Sequence, residues 1–315
     1  MPKSSFHLAS DDIFRRVHFS GLIDALRRMH QETPAEVQDM LLDQPGVEGT
    51  DYSLIRAAWQ KGSAIGVKVA NIFPGNRHFD LPAIHAAYVL FDGETGVPTR
   101  SIDGTALTYL KTAADSALGS RLLARPDSKN MLMVGAGAMA PYLIEAHHCA
   151  CPELSSVRVW NRSKDRRDEL VRALEGRYAI SAADDLSDAV AWADLISCAT
   201  MTTEPLLRGD WLNEGVHVDL VGAYRLDMRE ADDSTLRRAR LFVDSRATTI
   251  KEIGELTIPI AAGVIKESDV LADLYDLCSG AIGRTGKADI TVFKNGGGGH
   301  LDLMTARYIE ACFES

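Results

Sequence analysis

The stretch that most constrains this chain is the apolar run Met131-Leu132-Met133-Val134, followed at once by Gly135-Ala136-Gly137-Ala138-Met139-Ala140 and an apolar helical segment. Strand, GxGxxA, helix is the opening of a βαβ unit that can cradle a dinucleotide. Gly135 permits the tight turn, Gly137 lets the backbone approach a pyrophosphate, and Ala140 is small enough for helix and strand to pack closely. The helix N-terminus then offers unpaired N–H groups to phosphate. Glycines occur at many strand-to-helix turns, so context decides between this reading and a doubly wound domain that binds nothing. Further apolar runs follow at Val157 to Trp160, Asp194 to Cys198, Val216 to Val221 and Leu241 to Val243, alternating with helical segments. Strands of that kind belong to a parallel sheet covered on both faces. A Rossmann domain is therefore expected from about Asn130 onward.

The cofactor type turns on the end of the second of these strands, where a carboxylate would bind the adenosine ribose and repel a 2′-phosphate. This chain has Asn161-Arg162-Ser163 there, an arginine and a hydroxyl suited to a phosphate, so NADP(H) is expected over NAD(H). A solvated Arg162 is the plainer alternative, and Asp165 lies nearby. The candidate cofactor-binding residues are Gly135, Gly137, Ala138, Met139, Asn161, Arg162, Ser163 and Thr200.

The rest of the chain reads differently. Ser10 to His30 carries Ile13, Val17, Leu22, Ile23 and Leu26 at helical spacing, with a break expected near Gly21. Ile65 to Ile72 and Ala87 to Phe91 read as strands, with turns at Pro74-Gly75-Asn76 and Asp92-Gly93-Glu94-Thr95-Gly96. Thr105 to Leu123 returns to helical periodicity and is expected to connect the domains. A last helix runs from about Leu301 to Cys312, with an apolar face to set against the first domain. The expected fold is α/β, a Rossmann dinucleotide-binding domain (119–298) inserted in an α+β substrate and dimerisation domain (1–118), to which a C-terminal helix (299–315) returns. A chain of 315 residues favours two domains.

Composition removes several classes of function. The net charge of −10 opposes a polyanionic partner, so nucleic acid is not expected. Five cysteines without a CxxC pair make neither a disulfide framework nor a zinc site, and no metal is expected. No run of about 18 apolar residues suits a membrane, and the stretch Met1 to Phe6 lacks a signal-like apolar segment, so a cytoplasmic protein is expected.

Outside the glycine loop, several blocks fall in a familiar order: Gly66-Val67-Lys68-Val69, Phe73-Pro74-Gly75-Asn76, Leu90-Phe91-Asp92 with Thr95-Gly96, Asp103-Gly104, Leu107-Thr108, Lys111-Thr112-Ala113-Ala114 and Phe293-Lys294. In these the chain resembles the ornithine cyclodeaminase/mu-crystallin family from about Phe14 to its C-terminus. The resemblance implies a homodimer and an enzyme that moves hydride between a nicotinamide and the carbon of an amine/imine pair. It also implies that the inserted domain presents the nicotinamide to a substrate held by the first. By the same resemblance Lys68 is the active-site lysine and Asp227 the acid at the substrate nitrogen. The residues themselves support Lys68, since a lysine inside an apolar strand, facing the same way as Gly66 and Ala70, needs a reason. A surface-facing lysine remains the alternative, as a helix cap does for Asp227.

Three departures from the family pattern narrow the expectation. Lys111 stands where amino-acid-binding members carry an arginine, keeping the charge but losing the bidentate fork. Ala83 replaces a hydroxyl residue, and no upstream arginine element is recognisable in Gln38-Asp39-Met40-Leu41-Leu42. These changes disfavour ornithine cyclodeamination. They leave an NAD(P)H-dependent reductase of a small carboxylated imine, or the reverse amino acid oxidation, with Lys68, Lys111 and Asp227 as catalytic candidates. A non-enzymatic NADP(H)-dependent binding protein is a third reading. The run Asn295-Gly296-Gly297-Gly298-Gly299-His300 is read either as free backbone N–H groups for an anion with His300 as a proton donor, or as a hinge whose histidine caps the next helix.

Overall fold

The computed structural model describes residues 6–314, so Met1 to Ser5 of the N-terminal stretch weighed above lie outside the described residues, as does Ser315. The chain divides into two compact units, residues up to Lys111 together with those from Gly298 onward, and Thr112–Gly297 between them. The division thus falls after Lys111 and after Gly297, where the sequence reading drew it after Leu118 and after Gly298. Among the described residues no helix is long and apolar enough to cross a membrane.

The first unit contains β1 (His7–Leu8), α1 (Ser10–Arg16), α2 (Phe19–Met29), β2 (Glu36–Pro45), β3 (Thr50–Gln60), β4 (Ala64–Ile72), β5 (Ile84–Asp92), β6 (Pro98–Asp103) and the start of α3 (Gly104–Leu123). Its six strands lie in the order β1-β6-β5-β4-β3-β2, antiparallel except for β1 beside β6. The opening helical segment breaks at Val17 and His18, where the backbone turns extended, and not near Gly21. Gly21 sits inside α2, where a Cβ would meet the Tyr308 hydroxyl unless that side chain shifted. The Asp92 carboxylate organises the β5–β6 hairpin by accepting from the Thr95 and Glu94 N–H groups at 2.7 and 3.2 Å. The Pro74 turn is a 3-10 segment, Pro74–Phe79, ending on Asp80 in the left-handed region at φ 54°.

Strands β2 and β3 were not read from the sequence. Nearly every residue of β2 is exposed, so the inside-outside alternation that marks a strand is missing. On β4 the alternation is clear: Ala64, Gly66, Lys68 and Ala70 are buried, and Ile65, Val67 and Val69 face the other way. The closing helix, Gly299–Glu314, packs against β2 to β5 and α2, burying Leu301, Ala306 and Ile309.

The second unit is an eight-stranded parallel sheet of β7 (Asn130–Val134), β8 (Ser156–Trp160), β9 (Ile180–Ala182), β10 (Leu195–Cys198), β11 (His217–Leu220), β12 (Ala239–Val243), β13 (Val270–Ala272) and β14 (Ile290–Lys294). The order is β13-β12-β14-β11-β10-β7-β8-β9. The five apolar runs of the sequence are β7, β8, β10, β11 and β12. Strand β14 escaped notice because Thr291 and Lys294 interrupt its apolar character, although all five residues are buried. Both polar groups are satisfied internally, Thr291 with His217 at 2.9 Å and the Lys294 ammonium by donating to the Leu220 carbonyl at 3.0 Å. The chain leaves β7 toward β8 on one side and reaches β10 on the other. Ligands of open α/β sheets bind at the carboxyl ends of strands where the order reverses in this way.

Candidate functional site

In the first unit, strand β4 and helix α3 bring two lysines to one carboxylate. Lys68 Nζ donates to Thr108 Oγ1 at 2.7 Å and to Asp302 Oδ1 at 3.2 Å. Lys111 Nζ reaches the same Asp302 Oδ1 at 3.1 Å and the Gly298 carbonyl at 3.4 Å. Local structure explains the convergence. Asp103 caps α3 by accepting from the Ala106 N–H at 2.8 Å, and Thr108 and Lys111, three residues apart, share one face of that helix. The Thr108 hydroxyl donates to the Gly104 carbonyl at 2.7 Å, which leaves its lone pairs for Lys68. Across the sheet Lys68 stands opposite Arg56 on β3 and Tyr88 on β5. Gly66 must lack a side chain, because a Cβ would strike the Tyr88 hydroxyl. Arg56 is itself bound by Asp39, with contacts of 2.6 to 3.0 Å.

The site is closed to solvent: the side chains of Lys68, Lys111 and Asp302 are 8%, 5% and 1% exposed. Burial pulls the Lys68 ammonium from its ordinary range down to about 8, against the attraction of Asp302 and with help from the like charge of Lys111. Burial also opposes ionisation of Asp302, but the ammonium groups of Lys111 and Lys68 overcome it and hold that carboxyl below the usual range. Burial, then Asp302, push the Tyr88 phenol well above its usual value, so it stays neutral. His300, in the first turn of the closing helix, is buried and driven to about 3, first by desolvation and then by the positive charges around it. That environment favours the neutral imidazole.

In the second unit the glycine loop follows β7 as the sequence predicted. Gly135 has φ 109°, and its absent Cβ would lie 2.6 Å from the Ala199 carbonyl oxygen after β10. Gly137 is the opposite case, with nothing within 4 Å of a Cβ. That leaves open space over the loop, at the N-terminus of α4 (Ala140–Ala150), which has no side-chain cap. Among the described residues no acceptor takes the N–H groups of Gly137, Ala138 or Met139. Room for a phosphate and unpaired donors beside it fit a dinucleotide.

The other expected cofactor residues divide by role. Asn161 braces the loop, accepting from the Ala136 N–H at 3.2 Å and donating to the Ser163 carbonyl at 2.8 Å. Ser163 caps helix α5 (Lys164–Leu174) through Oγ. Arg162 is exposed, and among the described residues no carboxylate pairs with it. Thr200 has its N–H and hydroxyl bonded to Glu230 at 2.7 and 2.8 Å. Asp227 also belongs to the second unit, on the loop after β11. It is 61% exposed and bound bidentately by Arg225 at 2.8 and 2.9 Å, and that guanidinium holds it below the usual carboxylate range. In the glycine run, two of the four N–H donors weighed for an anion are already taken within the second unit. Asp244 Oδ2 accepts from the Gly296 and Gly297 N–H groups at 3.0 and 2.6 Å, so an internal carboxylate takes those donors. Ala83 is exposed, and its carbonyl accepts from the Phe73 N–H at 2.7 Å.

A family model described as the ornithine cyclodeaminase/mu-crystallin family matches residues 33–315. The chain belongs to that family. A relative from Paracoccus denitrificans named Δ1-pyrroline-2-carboxylate reductase is 44% identical over 96% of this chain and 95% of its own. The ketimine reductase mu-crystallin of Mus musculus is 33% identical over 78% of this chain and 75% of its own. Among solved structures, a Thermococcus litoralis Δ1-pyrroline-2-carboxylate reductase in complex with NADH and L-proline aligns over 98% of this chain and 97% of that one, with TM-score 0.90 and 27% identity. The fold of this family member is thus the one its sequence resemblance implied. Three residues of its lysine cluster, Asp302, Thr108 and Tyr88, were not named as site residues from the sequence. Thr108 was within reach, since it lies one helical turn before Lys111, whereas an acid in a first helical turn looks like Asp302 in any protein.

Proposed function

We propose that the chain is a reductase that takes a small imine bearing one carboxylate, of the Δ1-pyrroline-2-carboxylate class, to the corresponding amino acid, using NADPH in preference to NADH. The observation that carries this reading is the charge of the closed lysine site. Two ammonium groups share a single carboxylate oxygen, and the one further cation opposite Lys68, Arg56, is already taken by Asp39. One positive charge is left over in a site shielded from water, where a ligand carboxylate gains most from meeting it. The names of the relatives supply the substrate class.

When bound, a reduced nicotinamide supplies a hydride that converts the C=N carbon to C–H. Gly135, Gly137, Ala138 and Met139 would hold its pyrophosphate through the turn and the unpaired N–H groups. Lys68 and Lys111 bind and orient the substrate carboxylate, and burial keeps competing water away. Asp227, kept ionised by Arg225, suits the role of acceptor for the N–H of a protonated imine. The preference for NADPH rests on Arg162, exposed and without a carboxylate partner at the N-terminus of α5, where a 2′-phosphate would meet a guanidinium and a helix dipole.

The chain is further read as a homodimer. The face of the first sheet away from the closing helix carries Met40, Ile55 and Val69 in one row and Trp59, Ile65 and Phe91 in another. Met40, Trp59 and Val69 are exposed, and an apolar patch of this kind suits a second copy. Binding of pyrrole-2-carboxylate, a stable planar mimic of the imine, tests the substrate reading by calorimetry. Saturable binding that disappears in the Lys68→Met, Lys111→Met double variant is the expected result, and equal binding by both proteins would overturn it.

A further inference from the structure

The closing helix contributes a group that the family resemblance did not point to. We propose that Asp302 is a positioning residue: its carboxylate gathers the Lys68 and Lys111 ammonium groups and aims both at one ligand. This rests on the reading that those lysines bind the substrate carboxylate.

An acid in the first turn of a helix ordinarily sits at the surface and accepts from the free N–H groups of that turn. Asp302 does neither. It is fully buried, Oδ1 is shared by the two ammonium groups, and Oδ2 makes no hydrogen bond among the described residues. Burying a carboxylate and two ammonium groups is a poor route to stability, because the desolvation penalty rivals the attraction gained. The arrangement is better explained by what it does to the lysines. Both nitrogens lie within 3.2 Å of one oxygen, so two like charges are held close together in a dry site.

The groups facing Lys68 come from four elements: Arg56 from β3, Tyr88 from β5, Thr108 and Lys111 from α3, and Asp302 from the closing helix. Tyr88 is neutral, Arg56 and Lys111 are cationic, and Asp302 is the one anion among them. Without it, repulsion and burial act on Lys68 unopposed. The amine then loses its proton at lower pH, and the pair spreads apart.

Nitrogen-15 NMR of lysine side chains in the cofactor-bound protein tests this without any substrate, the Lys68 signal being assigned by its loss in Lys68→Arg. In Asp302→Asn the Lys68 titration should move downward by about one pH unit or more. The alkaline limb of kcat/KM should move with it, while the NADPH dissociation constant stays within about twofold, because the glycine loop lies in the other unit. Asp302→Glu keeps the charge and displaces it. Lys68 should then titrate as in the parent, while KM for the imine rises at least about fivefold, the loss expected when a charged hydrogen bond is misaligned. In a Lys68→Met background, Asp302→Asn should cost less than it does in the parent, because only Lys111 is left for the carboxylate to aim. An unchanged Lys68 titration in Asp302→Asn, an unchanged KM in Asp302→Glu, or fully additive losses in the double variant would each overturn the proposal. If Lys68 shifts as stated but the parent turns over no imine, the charge relation stands and the reductase reading falls.

Discussion

Replacing Lys68 by methionine is the perturbation whose consequences the site defines best. Methionine fills nearly the same volume along β4, so the packing loss should stay below about 1.5 kcal/mol. Two electrostatic effects on stability oppose each other. The fold is relieved of an ammonium that burial has already drawn down to about 8, while Asp302 keeps only Lys111 as counter-ion. The melting temperature should therefore move by no more than a few degrees, roughly the effect of 1 kcal/mol in a chain this size. The ligand, in contrast, loses a charge-assisted hydrogen bond worth about 1.5–3 kcal/mol. At about 1.4 kcal/mol per factor of ten, kcat/KM for a cyclic imine carboxylate should fall roughly 10- to 150-fold. The assay is steady-state consumption of NADPH with the imine varied, accompanied by fluorescence titration of NADPH against the same variant. Turnover at the parent rate, or an equal loss of NADPH affinity, would refute the reasoning.

Other outcomes follow from the same geometry. In the parent enzyme kcat/KM should decline as pH rises through about 8, with the slope of one proton, because the active form of Lys68 is the protonated one. Gly137→Val should leave the melting temperature of the free protein unchanged, since nothing lies near its Cβ, yet weaken NADPH by about tenfold or more by filling the phosphate cradle. Arg162→Ala should weaken NADPH and leave NADH binding as it was, which parallel titrations will check. Val69→Lys on the outer face of the first sheet should give a monomer in light scattering if that face joins two copies. Glu255 is pushed up to about 7 by burial and by Glu230, from 4.5 in the unfolded chain. Its contribution to stability is complete below pH 4.5 and lost as pH rises through 7, so Glu255→Gln should flatten the melting-temperature profile over that window.

Much of this architecture was legible because the second unit obeys local rules. Its strands β7, β8, β10, β11 and β12 are continuous apolar runs, and Gly135 and Gly137 mark the loop by what their missing side chains allow. Legibility failed where tertiary partners satisfy polar groups, as with Lys294 and Thr291 inside β14, and where a strand has no buried face, as with β2. Gly21 misled because a glycine that lies beneath the Tyr308 hydroxyl inside a helix looks the same in sequence as one that ends a helix. At the site, Lys68 stood out as a charge in an apolar strand. Asp302 did not, because its meaning depends on two lysines 234 and 191 residues earlier in the chain. The glycine run before His300 stayed ambiguous for the same reason, since the acceptor of its Gly296 and Gly297 donors, Asp244, comes from a distant strand end.

The central claim, that this chain reduces a carboxylated imine at the expense of a nicotinamide, is tested most directly by one reaction followed two ways. Purified protein, NADPH and Δ1-pyrroline-2-carboxylate are mixed, and loss of the reduced-nicotinamide absorbance is compared with the proline formed. The two should match mole for mole, with the rate saturating in imine and collapsing in Lys68→Met. Ammonia release from ornithine without net loss of NADPH, or no turnover of cyclic or acyclic imino acids with either cofactor, would contradict the account.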